Sequence, residues 1–318
     1  MDMFEQYKNL IKAFADPCQG IIYHYTSAEG LRGIIENSEI WLTNVKFVND
    51  TTEGRALQEK KTLFNDSDFT NIYVKKEWKE FVSSPYADNN TLYITSFSRG
   101  QESLDQWRAY GNFRIGFEAS KLVKRHFNMY KCIYSDNQMK RWILQKENLK
   151  EWSNHLLNDE AKDWAAFYLI YAASRKYKNN YFKNEKEFRL VVVSNHNWDY
   201  PNSPSMYEND PPLHYRDHPI YKFPIPYVKF YIEDNEVLIK KQEEIPQALN
   251  KSMKERDYKE KKSKDDKSKR RSLLPIKEIF IGPMLHQKEA ELACKILVSD
   301  KGYKNVKVDI SKIPYRGF

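Results

Sequence analysis

The stretch EKEFRLVVV, residues 185–193, combines a strand-forming apolar run with four charged side chains near its start. Alternate residues of a strand share a face, so Glu185, Glu187 and Arg189 are predicted on one face, and Phe188 and Leu190 on the other. Two carboxylates and a guanidinium are costly to bury without partners. This face is therefore either a solvated edge of a sheet or a polar site built around these charges.

The rest of the chain mixes helical and strand-like patterns without regular alternation. Strand-like runs lie at 21–25, 40–43, 92–98, 113–118, 130–134, 227–232, 276–282 and 306–310, and helical patterns at 3–15, 28–37, 103–110, 138–157, 159–178 and 286–299. This order disfavours a doubly wound parallel sheet. We expect an α+β fold in which helices cluster against a partly antiparallel sheet.

Residues 1–318 are predicted to form a single domain with three distinctive segments. Residues 136–180 are aromatic and helical, and we expect them to be an insertion packed on the sheet. Residues 197–226 are predicted to be a proline-rich loop, because seven prolines between 201 and 226 are incompatible with a regular helix or a central strand. Residues 250–272 are predicted to be a flexible, Lys-rich segment.

Most of the formal net charge of +8 lies in that Lys-rich segment. Residues 250–271 contain 11 Lys or Arg and 5 Asp or Glu, a net charge of +6, which leaves +2 for the remaining residues. Such a segment is usually a solvated loop, and it can also attract phosphate in a salt-dependent way. The solvated loop is the simpler interpretation.

Several classes of protein lack support in the sequence. The three cysteines, Cys18, Cys132 and Cys294, lie far apart and form neither a disulfide framework nor a zinc-binding spacing. We see no basic and apolar leader at the N-terminus and no run of about 18 apolar residues, so we expect a cytoplasmic protein with no membrane partner. Walker, GxGxxG, GxSxG, HExxH and kinase motifs are absent from the sequence.

Polar and aromatic residues gather where predicted strands begin or end. His24, Tyr25 and Thr26 lead into the helix at 28–37, and Asn49 and Asp50 follow the strand at 40–43. A histidine near the start of a helix is more often a structural hydrogen bonder than a catalyst, and an Asn-Asp pair can simply cap a helix. These simpler interpretations stay open beside a functional one.

A second group lies between residues 95 and 111. Ser96 and Ser98 belong to a predicted strand, and Trp107 and Tyr110 are three residues apart on one face of a predicted helix. The two rings can be core packing or an aromatic platform at the mouth of a pocket. Core packing is the default interpretation.

Five motifs together resemble those of a large bacterial domain-of-unknown-function family. They are YHYTS (23–27), GLRGIIENSEIWLTNVKFVND (30–50), SFSRGQESLDQWRAYGNFRIGFE (96–118), NEKEFRLVVV (184–193) and IKEIFIGP (276–283). That family in turn looks like a distant relative of the ADP-ribosyltransferases. The resemblance implies a split mixed β-sheet with helical insertions, which holds NAD in a central cleft.

The resemblance also implies roles for individual residues. His24 would contact the adenosine-side ribose, Tyr110 would stack on nicotinamide, Glu187 would hold the nicotinamide ribose and Glu185 would orient the acceptor, although the roles of the two glutamates can be exchanged. The further NAD-binding candidates are Tyr25, Thr26, Asn49, Asp50, Ser96, Ser98, Trp107 and Arg189. Arg189 would either keep the neighbouring carboxylates ionised or bind a pyrophosphate oxygen. Arg32, Arg99 and Arg108 are candidates for an additional arginine that contacts NAD. NAD is the expected substrate, and no metal is required.

By this resemblance, the protein is expected to be an NAD-dependent ADP-ribosyltransferase that modifies an intracellular macromolecule. RNA is placed ahead of protein and single-stranded DNA as the acceptor because of the Lys-rich segment and Tyr207, Tyr215, Tyr221 and Tyr227, whose rings can stack on unpaired bases. A bacterial toxin or anti-phage effector with an antitoxin partner fits this activity. The alternatives are a non-catalytic module that binds a nucleotide or a partner, and a metal-dependent hydrolase.

Overall fold

The computed structural model describes residues 13–16, 18–84, 92–124, 127–147, 159–194, 211–233 and 271–314. The strands are β1 Ile21–Thr26, β2 Glu39–Asn44, β3 Leu92–Ser98, β4 Phe113–Glu118, β5 Asn128–Lys131, β6 Glu187–Val193, β7 Leu213–Asp217, β8 Pro224–Glu233, β9 Arg271–Ser272, β10 Ile276–Ile281 and β11 Lys307–Ile310. The α-helices are α1 Ala28–Asn37, α2 Ile72–Ser83, α3 Leu104–Tyr110, α4 Asp136–Glu147, α5 Asp159–Lys176 and α6 Gln287–Asp300. Together they form a mixed α+β structure, as the pattern of the sequence predicts.

The strands belong to one open and mostly antiparallel sheet. Its main path runs β11-β10-β4-β1-β3-β2-β8-β7, and β6 pairs with both β3 and β5. Among the strands described, β10 and β11 form a parallel pair, and the other pairs are antiparallel. Strand β6 is therefore internal, with a partner on each edge.

Strand β3 is the point at which the sheet divides. One edge of β3 pairs with β6 along its whole length, from Leu92 to Ser98. The opposite edge pairs with β2 only at residues 93 and 94 and with β1 only at residue 98. Because β1 and β2 share this edge and separate between these contacts, a gap opens beside residues 95–97. We call this gap the fork.

Two apolar cores cover the two faces of the sheet. Alternate residues of β6 enter different cores: Leu190 and Val192 pack in the core that includes α1 and α6, and Val191 packs in the core that includes α2, α4 and α5. The side chain of Ser27 caps α1 by accepting a hydrogen bond from the Gly30 amide. Helix α1 then buries Leu31, Ile34 and Ile35 as a stripe of helical spacing.

The described part of the proline-rich segment is not a loop. The sequence predicts a loop over residues 197–226, but Leu213–Asp217 and Pro224–Glu233 form the antiparallel hairpin β7–β8 at the end of the main path. Proline is tolerated there because two of the prolines, Pro224 and Pro226, lie in the half of β8 that pairs with the outermost strand. Residues 195–210 lie outside the described residues.

Two further predicted segments lie partly within the described residues, and one helix was not predicted. Helices α4 and α5 fall within the predicted helical insertion at 136–180 and pack against each other and on the second core. Most of the Lys-rich segment at 250–272 lies outside the described residues, which include only its end, in β9. The sequence patterns do not predict helix α2, whose apolar face is narrow because only Val74 and Trp78 are buried.

None of the helices in the described ranges combines the length and the apolar character needed to cross a membrane.

The close approach of Gly282 to Trp107 gives a test of the packing. A Cβ atom at residue 282 would lie 2.6 Å from the indole, whereas one at Gly33, within α1, meets nothing within 4 Å. We expect Gly282→Ala to lower the free energy of unfolding by about 1–3 kcal/mol. Gly33→Ala is expected to raise it by up to about 1 kcal/mol, because alanine has the higher helix propensity. Urea unfolding of both variants measures this, and equal effects would contradict the packing described here.

Candidate functional site

A cleft of about 530 Å³ opens at the fork, a size typical of small-molecule sites. It lies between β1 and β2, and its floor is formed by β3 and the start of β6. Nine of the predicted site residues line it: His24, Tyr25, Asn49, Asp50, Ser96, Ser98, Tyr110, Glu185 and Glu187. The structure thus brings together residues that are up to about 160 positions apart in the sequence.

Glu187 lies at the floor of the cleft with its carboxylate almost fully bonded. Its Oε1 accepts hydrogen bonds from Ser96 Oγ at 2.5 Å and from Arg189 Nε at 3.1 Å, and its Oε2 accepts one from Lys178 Nζ at 2.5 Å. Burial raises the pKa of Glu187, but Arg189 and Lys178 outweigh burial and lower this pKa to about 2. Glu187 is therefore ionised at neutral pH, although only 2% of its side chain is exposed.

Lys178 joins the two glutamates of the motif. Strand β6 begins at Glu187, and Glu185 ends the preceding 3₁₀ helix, Asn180–Glu185, so strand alternation does not extend to Glu185. Instead, Lys178 Nζ contacts Glu185 Oε2 at 2.7 Å as well as Glu187 Oε2. Burial lowers the pKa of Lys178, but the attraction of Glu187 and Glu185 outweighs burial and raises this pKa above its ordinary value.

Tyr110 connects Glu185 to the surface. Its hydroxyl donates a hydrogen bond to Glu185 Oε1 at 2.8 Å, and 37% of the residue is exposed. Burial of the hydroxyl and the negative charge of Glu185 raise the pKa of Tyr110, so it remains protonated. Glu185 is the more accessible of the two glutamates, since 16% of its side chain is exposed.

Arg189 lies behind the cleft, where it supports Glu187. It is 1% exposed, and its guanidinium binds both oxygens of Glu53, at 2.7 and 2.8 Å, as well as Glu187 and the carbonyl of Arg175. Burial raises the pKa of Glu53 to about 7, with Glu187 acting in the same direction and Arg189 opposing it. Of the two roles expected for Arg189, the structure fits the one that keeps the carboxylates ionised, because Arg189 is an internal counterion and does not line the cleft.

His24 bridges the fork. Its Nδ1 lies 3.0 Å from the carbonyl oxygen of Ser96, so Nδ1 carries the proton and donates it to this bond. Burial lowers the pKa of His24, so the ring is neutral near pH 7. Nε2 is then an acceptor for a ligand hydroxyl.

Asp50 lines the cleft and has one carboxylate oxygen without a partner among the described residues. Its Oδ1 accepts from the backbone amide and the hydroxyl of Thr52, at 2.9 and 2.7 Å, in the manner of a cap. Its Oδ2 is buried and has no hydrogen-bond partner among the described residues. Asn49, which also lines the cleft, is exposed at the rim beside it. Asp50 thus caps the turns that begin at residue 51.

Thr26 and Trp107 are not brought into the cleft. Trp107 is 3% exposed and packs edge-on against Tyr25 with ring centroids 4.8 Å apart, so core packing explains it. Thr26 faces the turn of Gly30 at the start of α1. Of the arginine candidates, none of Arg32, Arg99 and Arg108 lines the cleft.

Sequence reasoning missed Lys178, Glu53 and Arg216, which all line the cleft. The sequence places Lys178 at the end of a helical pattern and gives no sign that it turns toward β6. Glu53 follows the Asn49-Asp50 pair and was interpreted as part of a capped helix start. The signal that could have indicated it is Arg189, because a buried arginine in β6 requires carboxylates around it. Arg216 fell within the predicted loop.

Comparison of the chain with protein-family models, with curated proteins and with solved structures finds no match.

The internal ion pairs predict a large loss of stability for Arg189→Met. This change leaves Glu187 and Glu53 buried with one cation fewer, and we expect the free energy of unfolding to fall by about 3–5 kcal/mol. Lys295→Met is the control, since it removes a partly exposed helical pair with Glu291 worth less than about 1 kcal/mol. Equal losses for the two variants in urea unfolding would show that the Arg189 cluster is not buried as described.

The low pKa of Glu187 predicts a pH-dependent cost for Glu187→Gln. A carboxyl whose pKa falls from 4.5 to about 2 on folding stabilises the protein above pH 4.5, and this contribution fades as the pH falls toward 2. We expect the loss of stability in Glu187→Gln, about 3 kcal/mol at pH 7 by this linkage, to be clearly smaller at pH 3. Urea unfolding of both proteins at the two pH values measures this. A loss that does not change with pH would contradict the lowered pKa.

Proposed function

We propose that the protein is an NAD-dependent ADP-ribosyltransferase. The observation that supports this best is Glu187, an ionised carboxylate fixed by Ser96, Lys178 and Arg189 at the floor of a ligand-sized cleft. Cleavage of the nicotinamide–ribose bond develops positive charge on the ribose, and a preorganised carboxylate is the group that stabilises such a charge. The fork is also the feature expected of a split-sheet transferase.

Glu187 would act by electrostatics and by holding the sugar. A carboxylate has about four acceptor positions, and three are used by Ser96, Arg189 and Lys178, which leaves one on Oε2 for a ribose hydroxyl. The electron pair of the broken bond leaves with nicotinamide, which departs as a neutral base. A general acid is therefore unnecessary, and Glu187 needs only to remain ionised and in position.

Glu185 and Tyr110 would serve the acceptor. Glu185 is the more exposed carboxylate, and it is held at the cleft mouth by Lys178 and the Tyr110 hydroxyl. At that place it can accept the proton of an acceptor hydroxyl or amine as the new bond to the ribose carbon forms. His24, with Nε2 available as an acceptor, would bind a hydroxyl of the other ribose.

The acceptor we favour is RNA, ahead of protein and single-stranded DNA, and the compartment we favour is the cytoplasm. Support comes from the exposed rings of Tyr215 and Tyr221 on the β7–β8 hairpin and from the net charge of +6 between residues 250 and 271. We place the protein among bacterial toxins or anti-phage effectors, for which an antitoxin protein is the expected partner.

The proposal is tested by incubating the purified protein with NAD labelled in the adenylate part. Total RNA, single-stranded DNA and cell lysate are offered separately as acceptors, and both nicotinamide release and transfer of the label are followed. We expect Glu187→Gln to lower the rate of nicotinamide release by about 10²–10³-fold, as loss of a preorganised charge does elsewhere. Glu289→Gln, at an exposed position on α6, is the matched control and should keep the full rate.

The outcomes separate the candidate functions. Nicotinamide release and label transfer that both depend on Glu187 support the transferase, and the molecule that takes up the label identifies the acceptor class. NAD that binds but is not cleaved with any acceptor would replace the proposal by a non-catalytic nucleotide-binding module.

The division of labour between the glutamates gives a second prediction. We expect Glu185→Gln to lower transfer of label to the acceptor by more than it lowers nicotinamide release, because water can still take the ribose when the acceptor is not oriented. The ratio of label transferred to nicotinamide released, measured in one reaction, checks this. An unchanged ratio would show that Glu185 has no role toward the acceptor.

A further inference from the structure

The end of the cleft away from Glu187 contains an aromatic ring that is both exposed and rigidly held. Trp41, on β2, is 38% exposed and lines the cleft. Its indole stacks on Tyr227 of β8, with ring centroids 4.3 Å apart and an angle of 28° between the planes. One side of the indole is thus fixed by the protein, and the exposed remainder faces the cleft.

A buried ion cluster fixes this indole in the plane of its ring. Trp41 Nε1 donates to Glu39 Oε1 at 2.7 Å, and Glu39 is only 3% exposed. The carboxylate of Glu39 is balanced by Arg271 at 2.6 Å and by Lys229 at 3.1 Å. Fixing an exposed ring in this way lowers the entropy lost when a flat ligand stacks on it.

Arg216 places a cation beside the same ring. It extends from β7 across Tyr227 to β2, where its NH2 donates to Thr43 Oγ1 at 3.1 Å, and its Cζ lies 5.9 Å from the centroid of Trp41. Lys229 and Arg271 neutralise the buried carboxylate of Glu39, and Arg216 adds a cation that lines the cleft beside Trp41. An aromatic surface beside a guanidinium matches a base attached to a phosphate.

The two ends of the cleft are continuous and opposite in charge. Thr43 pairs with Ile94 on β3, and Ser96, two residues further along β3, hydrogen-bonds Glu187. Two strand spacings, about 10 Å, therefore separate β2 from β6 across the cleft floor. A ligand that lies along this floor would have a cationic part at Glu185 and Glu187 and an anionic part at Arg216.

We propose that Trp41 and Arg216 form a nucleotide subsite, in which the adenine base stacks on Trp41 and an adjacent phosphate binds Arg216. This extends the proposed function by assigning the adenylate half of NAD to the β2–β8–β7 end of the cleft. A nucleotide of an RNA acceptor offers the same chemistry, so the test distinguishes these two sources.

Calorimetric titration of the full-length protein with AMP, with ADP-ribose and with a single-stranded RNA hexamer tests the subsite without requiring turnover. We expect Trp41→Ala and Arg216→Gln each to weaken AMP and ADP-ribose binding about tenfold or more, the usual effect of losing a stacking ring or a phosphate contact. Trp41→Phe should retain most of the affinity because it keeps a ring. Trp164→Ala, at a ring 43% exposed on α5, is the control and should bind as the wild type.

The outcomes separate this subsite from the transferase activity. AMP binding that depends on Trp41 and Arg216, in a protein that never cleaves NAD, would support the subsite and refute the activity. NAD cleavage with an unchanged KM in Trp41→Ala and Arg216→Gln would refute the subsite and leave the activity. Loss of hexamer binding alone, with AMP unaffected, would also refute the adenylate assignment, because the ring would then serve the acceptor.

Discussion

Burial of the Arg189 guanidinium inside the sheet is the constraint on which the site depends. Strand β6 has partners on both edges, and the face that carries Arg189 and Val191 packs on the core of α2, α4 and α5. Arg189 is therefore 1% exposed, and its charge must be satisfied within the protein. Glu187 from the same strand and Glu53 from the turns after β2 provide the carboxylates. Lys178, just beyond α5, then balances the excess negative charge of Glu187 and Glu185. Two distant segments are thereby fixed against one strand.

The fork turns this charge cluster into a site. Because β1 and β2 share one edge of β3, residues 95–97 have no strand partner on that edge among the described strands. Side chains can bind their backbone groups instead, and His24 hydrogen-bonds the carbonyl of Ser96. Glu187 is then reached from the gap, which Lys178 also lines, while Arg189 remains behind it. A carboxylate held in this way needs no reorganisation when positive charge develops on a ligand, which is the physical basis of the proposed activity.

The sequence predicts the parts of this arrangement that depend on local pattern. Strand alternation correctly puts Glu187 and Arg189 on one face, and the helical pattern at 28–37 predicts α1 to the residue. Lys178 and Glu53 could not be predicted, because their roles arise only when distant segments meet at β6. Core packing, the default interpretation of Trp107 from its helical spacing, agrees with its burial, whereas the NAD-binding role that the resemblance implied would need it in the cleft. The β7–β8 hairpin was not predicted, because prolines disfavour a strand. Pro224 and Pro226 are tolerated because they lie in the half of β8 that pairs with the outermost strand.

The claim that Glu187 faces developing positive charge on a ribose is tested most directly by a secondary isotope effect. Single-turnover nicotinamide release would be measured for NAD with deuterium at the anomeric carbon of the nicotinamide ribose, beside unlabelled NAD. If bond cleavage passes through an oxocarbenium-like state stabilised by Glu187, the deuterated substrate reacts more slowly. The reason is that the bending vibration of the C–H bond softens as this carbon becomes planar. Equal rates with bond cleavage rate-limiting, or no release at all, would contradict the proposed role of Glu187.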